Sequence, residues 1–348
     1  MTINGPSALG PVGVSSVEVG VAKGVPAAGG LGVRGSSSAG QAPPQAPATG
    51  SGLDGLIQAA ASNQGGLSAL LADLAAALQS PDLPPSVQGA AAEVLEFQLP
   101  LDPPPTAADL SLAVAQSGLF LEADLAQGNA PAYGDFKSTL LTLFQALETT
   151  TGGAAGATAS ATVRPAPPYV GAPTQAQPAI ASLLSAEMPA EQVAGRLTKA
   201  TSAAISRQVL MQLASASNTT QTAGGSRVAH WLFELPFATD DGASVAQFEI
   251  DRDGGSGPDE EDQTWRAGFS LAVGEGGPVH AKIVLKGGRL RVAMWAESGE
   301  TLQRLTEDKA EMANALQADG LEAEVSVFPG APAPETPPKA GRFMDRAI

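Results

Sequence analysis

The sequence predicts an α+β protein: a small antiparallel or mixed β-sheet packed with one or two helices at the C-terminus, preceded by a largely disordered arm with short helices. Three observations support this class. The three tryptophans, Trp231, Trp265 and Trp295, all fall in the C-terminal part of the chain. Apolar and polar residues alternate around them, as in half-buried strands. The 348 residues include 40 glycines and 28 prolines, a proportion typical of chains with weakly structured segments.

Composition changes along the chain and predicts its division into segments. The first part is rich in Gly, Ala, Pro and Ser and has no helical or strand period, which is typical of disorder. Helical spacings follow, then a second low-complexity stretch, then helix and strand patterns. The predicted segments are a disordered region at 1–50, arm helices at 51–148, a linker at 149–178, a C-terminal domain at 179–328 with its compact core at 227–328, and a disordered tail at 329–348.

Leucines at spacings of three and four predict the helices of the arm. The first covers residues 53–79, is split by Gly65 and Gly66, and ends at a run of prolines. Further helices are predicted from their caps and apolar stripes: one opened at Thr106 or Ala107 and closed by Ser117 and Gly118, a short one directly after it, one capped by Asp135, one over 179–215, and one over 300–318 that ends before Gly320.

Period-two alternation predicts the strands of the C-terminal sheet. Adjacent glycines, Gly287 and Gly288, predict a tight hairpin turn between the last two strands that precede the final helix. The predicted strands are 231–237, 245–250, 265–273, 279–285, 290–294 and, after that helix, 323–327. The predicted sheet therefore holds the main hydrophobic core.

Charge and composition exclude several classes of function. The net charge of −16 argues against nucleic-acid binding, because a phosphate backbone would be repelled. The chain has no cysteine and two histidines, His230 and His280, which excludes disulfides and histidine-rich metal sites. Residues 1–32 lack a basic region followed by an apolar core, so we expect no cleavable signal peptide. No apolar run reaches about 18 residues, so we expect no membrane insertion.

Two stretches match motif letters without the context that the motif needs. Residues 30–35 spell the dinucleotide fingerprint, but no strand precedes them and no helix follows. Residues 251–262 are rich in carboxylates and contain one unit of a calcium-binding repeat, yet one unit cannot stack, and Ser256 stands where an EF-hand needs glycine. We interpret 251–262 as a solvated loop between strands, and the sequence leaves calcium binding there open.

No catalytic, cofactor-binding or metal-binding residue is predicted. His230 lies in a predicted strand beside Trp231, and His280 is expected at the surface or edge of the sheet. Neither histidine has a companion nucleophile or a cluster of metal ligands in the sequence pattern. The Gly-x-Ser-x-Gly elbow of serine hydrolases is missing as well. We therefore expect a protein that is not an enzyme and uses no cofactor.

Several stretches together resemble the C-terminal domain of flagellar hook-length control proteins. They are residues 265–271, 277–285 and 290–297, and the helix after them with Leu302, Leu305 and Leu316. Residues 117–126, followed by Asp135-Phe136-Lys137, are similar to a stretch found upstream in such proteins. The resemblance extends over about residues 180–328 and this upstream patch.

The resemblance implies a cytoplasmic protein that is secreted through the flagellar type III apparatus during hook assembly. Its arm would sample hook length, because about 180 extended residues at roughly 3.3–3.6 Å each reach some 600 Å. Its C-terminal domain would contact the export-gate switch protein and change export from hook to filament substrates. Hook and hook-cap proteins are further implied partners, and we expect a monomer.

The partner-binding surface is predicted at an exposed strand edge and polar face around Arg289, Arg291 and Arg304. A scaffold or adaptor whose α+β domain binds another partner, with the arm as a tether, is the alternative function that the sequence leaves open.

Overall fold

The computed structural model describes residues 52–80, 82–128, 134–151, 164–169, 171–185, 187–216, 228–253 and 263–333. All of them belong to one compact unit, Thr49–Ile348. Helices and a mixed sheet of seven strands build this unit, so the predicted α+β class is confirmed. The dinucleotide-like stretch 30–35 and residues 254–262 of the acidic loop lie outside the described residues.

Helices occupy both halves of the unit. In chain order they are α1 (Gly52–Asn63), α2 (Leu67–Ala77), α3 (Pro85–Leu95), α4 (Ala107–Ala115), α5 (Leu121–Ala126), α6 (Phe136–Thr151), α7 (Ala190–Ala216) and α8 (Gly299–Ala318). The predicted break at Gly65 and Gly66 is confirmed between α1 and α2. Thr106 caps α4 in a capping box with Asp109, and this hydrogen bond from the Thr106 hydroxyl lowers the pKa of Asp109.

The strands follow one another across the sheet in chain order. They are β1 (Leu99–Pro100), β2 (Val228–Thr239), β3 (Gly242–Asp253), β4 (Thr264–Ala272), β5 (Pro278–Lys286), β6 (Arg289–Ala296) and β7 (Glu322–Pro329). Neighbours from β2 to β6 are antiparallel, whereas the short β1 runs parallel to β2 and the edge strand β7 parallel to β6. The edge strand β7 runs parallel to β6 because α8 carries the chain back to the end of the sheet at which β6 begins.

Positive φ angles confirm the predicted turns. Gly287 and Gly288 join β5 to β6 with φ of 53° and 74°, the left-handed pair that a type I′ hairpin turn needs. Gly320, with φ of 84°, follows the last turn of α8.

The largest hydrophobic cluster lies between the helices and one face of the sheet. Six leucines of α2 and α6 are completely buried in it: Leu70, Leu71, Leu74, Leu140, Leu143 and Leu147. Val193 and Leu197 of α7 and Val245 of β3 complete the contact with the sheet. The sequence places the main core in the aromatic strands instead, because each alanine-rich helix alone offers too few large side chains. When the helices pack together, they shield all of these leucines from water.

The opposite face of the sheet packs against two separate helices. Phe233, Leu235 and Phe237 of β2 form a cluster with residues of α4, and Val292 of β6 lies in a cluster with Leu305 of α8. No residue of α8 is fully buried, so this helix covers its end of the sheet incompletely.

Two stretches differ from the sequence prediction. The predicted helix ends before the run of prolines, as α2 does at Ala77, but a helix that the sequence does not predict follows directly, because Pro85 stands at the first position of α3, where its missing N–H is not needed. Residues 179–185 and 187–189 are not helical, and α7 begins only after Pro189. Residues 171–185 instead cross the sheet, and the backbone of Gln177 pairs with Val245.

Asp135 caps the N-terminus of α6, as the sequence predicts. Its carboxylate accepts a 2.9 Å hydrogen bond from the backbone N–H of Ser138, and the residue is buried. Burial raises the pKa of Asp135 above its ordinary value of 3.8, although the backbone hydrogen bonds of Ser138 and Lys137 oppose the shift. A raised folded-state pKa means that stability is greatest below the unfolded pKa and is lost as pH rises through the folded pKa.

We expect an Asp135→Asn variant, which keeps a cap but cannot ionise, to gain stability relative to the wild type as pH rises from about 4 to about 7. Urea unfolding at several pH values measures this difference. An Asp135→Ala control loses the cap and should cost about 1 kcal/mol. A difference between wild type and the asparagine variant that does not change with pH would contradict the prediction.

Candidate partner-binding surface and histidine clusters

Arg289 and Arg291 stand side by side on one face of the sheet. The residues between and after them, Leu290 and Val292, are buried in the cluster that contains Leu305 of α8. Since alternate residues of a strand point to opposite faces, the two arginines occupy the face away from α8. Arg304 lies on α8 itself and therefore on the other side of the sheet. The structure thus brings two of the three predicted arginines together and separates the third.

Each predicted arginine forms an ion pair at the surface. Arg289 Nε lies 2.9 Å from a carboxylate oxygen of Glu322, and Arg291 Nε lies 3.5 Å from Glu324, across the β6–β7 ladder. Arg304 pairs with Glu300 one helical turn away, at 2.6 Å. All of these side chains are more than 70% exposed. Pairs so exposed add little to stability, which leaves them open to exchange with a partner's charges.

An aromatic pair continues the same ladder. Trp295 on β6 is directly opposite Phe328 on β7, and their rings stack with centroids 5.5 Å apart. Phe328 is 43% exposed, although it is a large apolar side chain. The β6–β7 face, which we define as Arg289, Arg291, Trp295, Glu322, Glu324 and Phe328, therefore combines charged and aromatic groups at an edge of the sheet. Tryptophan and arginine are the residues that protein interfaces favour for strong contacts.

His280 is buried, which corrects the prediction that it lies at the surface or edge. Its Nδ1 is 2.6 Å from the hydroxyl of Ser270, and its Nε2 is 3.1 Å from a carboxylate oxygen of Glu297. This row of serine, histidine and glutamate is the constellation that the sequence pattern does not reveal. Ser270 is completely buried and also bonds to the Thr174 backbone, so no substrate can reach its hydroxyl. The row ties residues 171–185 to the sheet.

His230 forms the second cluster. Its Nδ1 lies 2.7 Å from an oxygen of Asp251 and 3.7 Å from an oxygen of Glu249, and its side chain is almost completely buried. Asp251 is the cross-strand partner of His230, and Glu249 lies two residues before it on the same face. The sequence contains a signal for this cluster, because pairing the two predicted strands through Asp240 and Asp241 sets His230 opposite Asp251.

A buried ion pair holds the helices on the sheet. Arg207 of α7 donates from Nε to an oxygen of Glu234 on β2 at 2.8 Å, and both side chains are at most 2% exposed. Gln177 donates to the same oxygen at 2.7 Å, and Arg207 Nη1 donates to the Gln64 side chain at 2.9 Å. Gln177 also accepts from the N–H of Leu67 at the start of α2. One polar network therefore joins four separate parts of the chain.

The seven-stranded sheet, its helices and the β6–β7 face belong to one compact α+β unit. Residues 256–335, which include β4–β7 and α8, match the family model of the flagellar hook-length control protein FliK. The resemblance drawn from the sequence is confirmed over this range. Comparisons with curated proteins and with solved structures gave no match. Within the described residues, no helix is both long and apolar enough to cross a membrane.

Proposed function

We propose that this chain controls the length of the flagellar hook and switches type III export from hook to filament substrates. The family match over residues 256–335 carries the proposal. The protein acts in the cytoplasm and is then secreted through the flagellar apparatus, and its role is regulatory rather than enzymatic. The chain lacks cysteine, which suits export of an extended chain because no disulfide has to be reduced.

Residues before the compact unit are the proposed measuring segment. The compact unit begins at Thr49, and Met1–Ala48 precede it in the chain. At roughly 3.3–3.6 Å per extended residue, this segment reaches on the order of 160 Å. A longer ruler requires the helices of Thr49–Ile348 to unfold during transit, since helical residues add only about 1.5 Å each.

The β6–β7 face is the proposed contact with the export-gate switch protein. It lies within the range that matches the family, its ion pairs are exposed, and Trp295 and Phe328 offer an apolar contact beside them. Arg304, on the helix side of the sheet, would contact a different part of the partner or none. Hook and hook-cap proteins are further proposed partners, and the acting form is proposed to be a monomer.

The test is complementation of a strain that lacks the gene. We expect the deletion strain to lose control of hook length and to fail in filament assembly, and the wild-type chain to restore both. Electron microscopy of isolated hooks measures length, and motility reports filaments. An Arg289→Glu/Arg291→Glu variant should still fold but should not restore the switch, because charge reversal on an exposed ladder disturbs partner binding far more than stability.

Arg304→Glu is the matched control, because it reverses an equally exposed arginine outside the β6–β7 face. Unchanged hooks and filaments in the deletion strain would overturn the proposed function. Restored switching by the double arginine variant would keep the function and reject this surface. If the chain is an adaptor with a tethered partner-binding domain instead, deletions within residues 1–48 will leave hook length unchanged.

A further inference from the structure

We propose that His230, Glu249 and Asp251 bind one divalent metal ion of the zinc class. The three residues lie on β2 and β3, before the range that matches the family, and the proposal does not depend on the proposed function. One imidazole nitrogen and two carboxylate oxygens are a ligand set that Zn²⁺ accepts. Calcium, by contrast, prefers oxygen ligands alone.

The distances between the ligand atoms suit such an ion. Nδ1 of His230, an oxygen of Glu249 and an oxygen of Asp251 all lie within 4.8 Å of one another. Ligands of a tetrahedral zinc ion with bonds of 2.0–2.1 Å are about 3.3 Å apart. The observed separations from Nδ1, 2.7 Å to Asp251 and 3.7 Å to Glu249, bracket that value. Small rotations of the two carboxylate side chains therefore suffice to receive an ion.

The sheet holds the three residues in place before any ion binds. His230 and Asp251 are direct cross-strand partners in a ladder of twelve residue pairs, and Glu249 follows on the same face. The backbone positions are thereby fixed, and only short side-chain movements remain.

The arginine across the ladder from Asp251 is paired with another carboxylate. Arg266 on β4 is the cross-strand partner of Asp251, but its guanidinium bonds to Asp253 at 2.7 Å instead. The ion would contact the His230 imidazole and the carboxylates of Glu249 and Asp251. The two acidic side chains are 21% and 28% exposed, so the outer side is open to a water molecule as fourth ligand.

The surroundings of Nε2, the second ring nitrogen of His230, determine the affinity that we expect for the metal ion. Nε2 is buried and has no hydrogen-bond partner in the described part of the chain. Histidines that bind metal usually donate this N–H to an acceptor, and loss of such a contact typically lowers affinity about 10–100-fold. We therefore expect a dissociation constant on the order of micromolar, weaker than that of a structural zinc site.

Isothermal titration of the full chain with ZnCl₂ tests the site, and the visible absorption of bound Co²⁺ reports its geometry. We expect one equivalent of Zn²⁺ per chain and an absorption spectrum typical of a four-coordinate Co²⁺ ion. Glu249→Gln and Asp251→Asn should each weaken binding by at least about tenfold, because each exchanges a charged ligand for a neutral one of equal size. Both residues are partly exposed, so these variants keep the fold.

Asp253→Asn is the matched control, because this carboxylate lies on the same strand and face but is paired with Arg266. It should bind Zn²⁺ as the wild type does. Full binding by the Glu249 and Asp251 variants, or no heat of binding at millimolar ZnCl₂, would overturn the site. Equal affinity for CaCl₂ and ZnCl₂ would also overturn it, since that result indicates oxygen ligands alone.

Discussion

Replacement of Glu234 by alanine is expected to lower the free energy of unfolding by about 3–5 kcal/mol. The variant leaves the guanidinium of Arg207 in a buried position without a countercharge. Among the described residues, Arg207 retains only neutral acceptors, the Gln64 side chain at 2.9 Å and the Ala166 carbonyl at 3.1 Å. Arg207→Ala should cost a similar amount, because it leaves the Glu234 carboxylate with Gln177 as its one donor in the described residues. Urea unfolding followed by circular dichroism measures both.

The Arg207–Glu234 ion pair is not fully hydrogen-bonded in the intact protein, so a variant that removes both charges is informative. Arg207 Nη2 lies 2.7 Å from the Glu234 oxygen without the alignment of a hydrogen bond, and the second oxygen of Glu234 has no partner among the described residues. An Arg207→Met/Glu234→Leu variant removes both charges together. It should be less destabilised than the sum of the two single alanine variants, because no unpaired charge remains. Gln64 and Gln177 would still lose partners, so the variant does not reach wild-type stability.

Arg289→Ala is the control for this prediction. It removes an equally charged group from a pair that is more than 70% exposed, and surface changes of this kind stay within about 0.5 kcal/mol. A cost below about 1 kcal/mol for Glu234→Ala would mean that water reaches the Arg207 guanidinium, contrary to its burial in the structure.

Local chemistry explains what the sequence predicts correctly. The alternation in β2 and β4, the glycines at 287 and 288, and the caps Thr106 and Asp135 each depend on residues a few positions apart. In such cases the residue type and its spacing suffice, because the interaction that fixes the conformation lies within the same segment.

Contacts between distant segments explain what the sequence misses. Gln177 lies in the predicted linker at 149–178, but it joins the sheet because its backbone pairs with Val245 and its side chain donates a hydrogen bond to Glu234. His280 is buried because Ser270 and Glu297 satisfy both ring nitrogens. The partners in these contacts are 10 to 68 residues apart in the chain. A local sequence pattern therefore does not show that these buried polar groups will find hydrogen-bond partners.

The sequence also misses the packing of the arm helices, which depends on contacts between distant segments. Residues 51–148 carry the spacings of short helices, and the sequence suggests an arm that is separate from the sheet. The structure instead buries leucines of α6 against α7, and α7 against β2 and β3. This arrangement makes a specific prediction about cooperativity, because an arm and a domain unfold separately whereas a single core unfolds at once.

Leu143→Ala is therefore expected to destabilise the sheet as well as the helices. Leu143 of α6 is completely buried, and truncation of such a leucine costs about 2–5 kcal/mol through lost burial and the cavity left behind. All three tryptophans lie in strands, so their fluorescence reports the sheet and not α6. We expect the urea midpoint from tryptophan fluorescence to fall together with the midpoint from far-ultraviolet circular dichroism.

Leu141→Ala is the matched control in the same helix, because Leu141 is 38% exposed and lies outside the buried cluster. It should shift neither midpoint by more than a small fraction of the Leu143 effect. An unchanged tryptophan midpoint in Leu143→Ala, with an earlier loss of helical signal, would show that α6 unfolds independently. The helices would then belong to the measuring arm. Coincident shifts would place them in the unit that has to unfold as a whole before export.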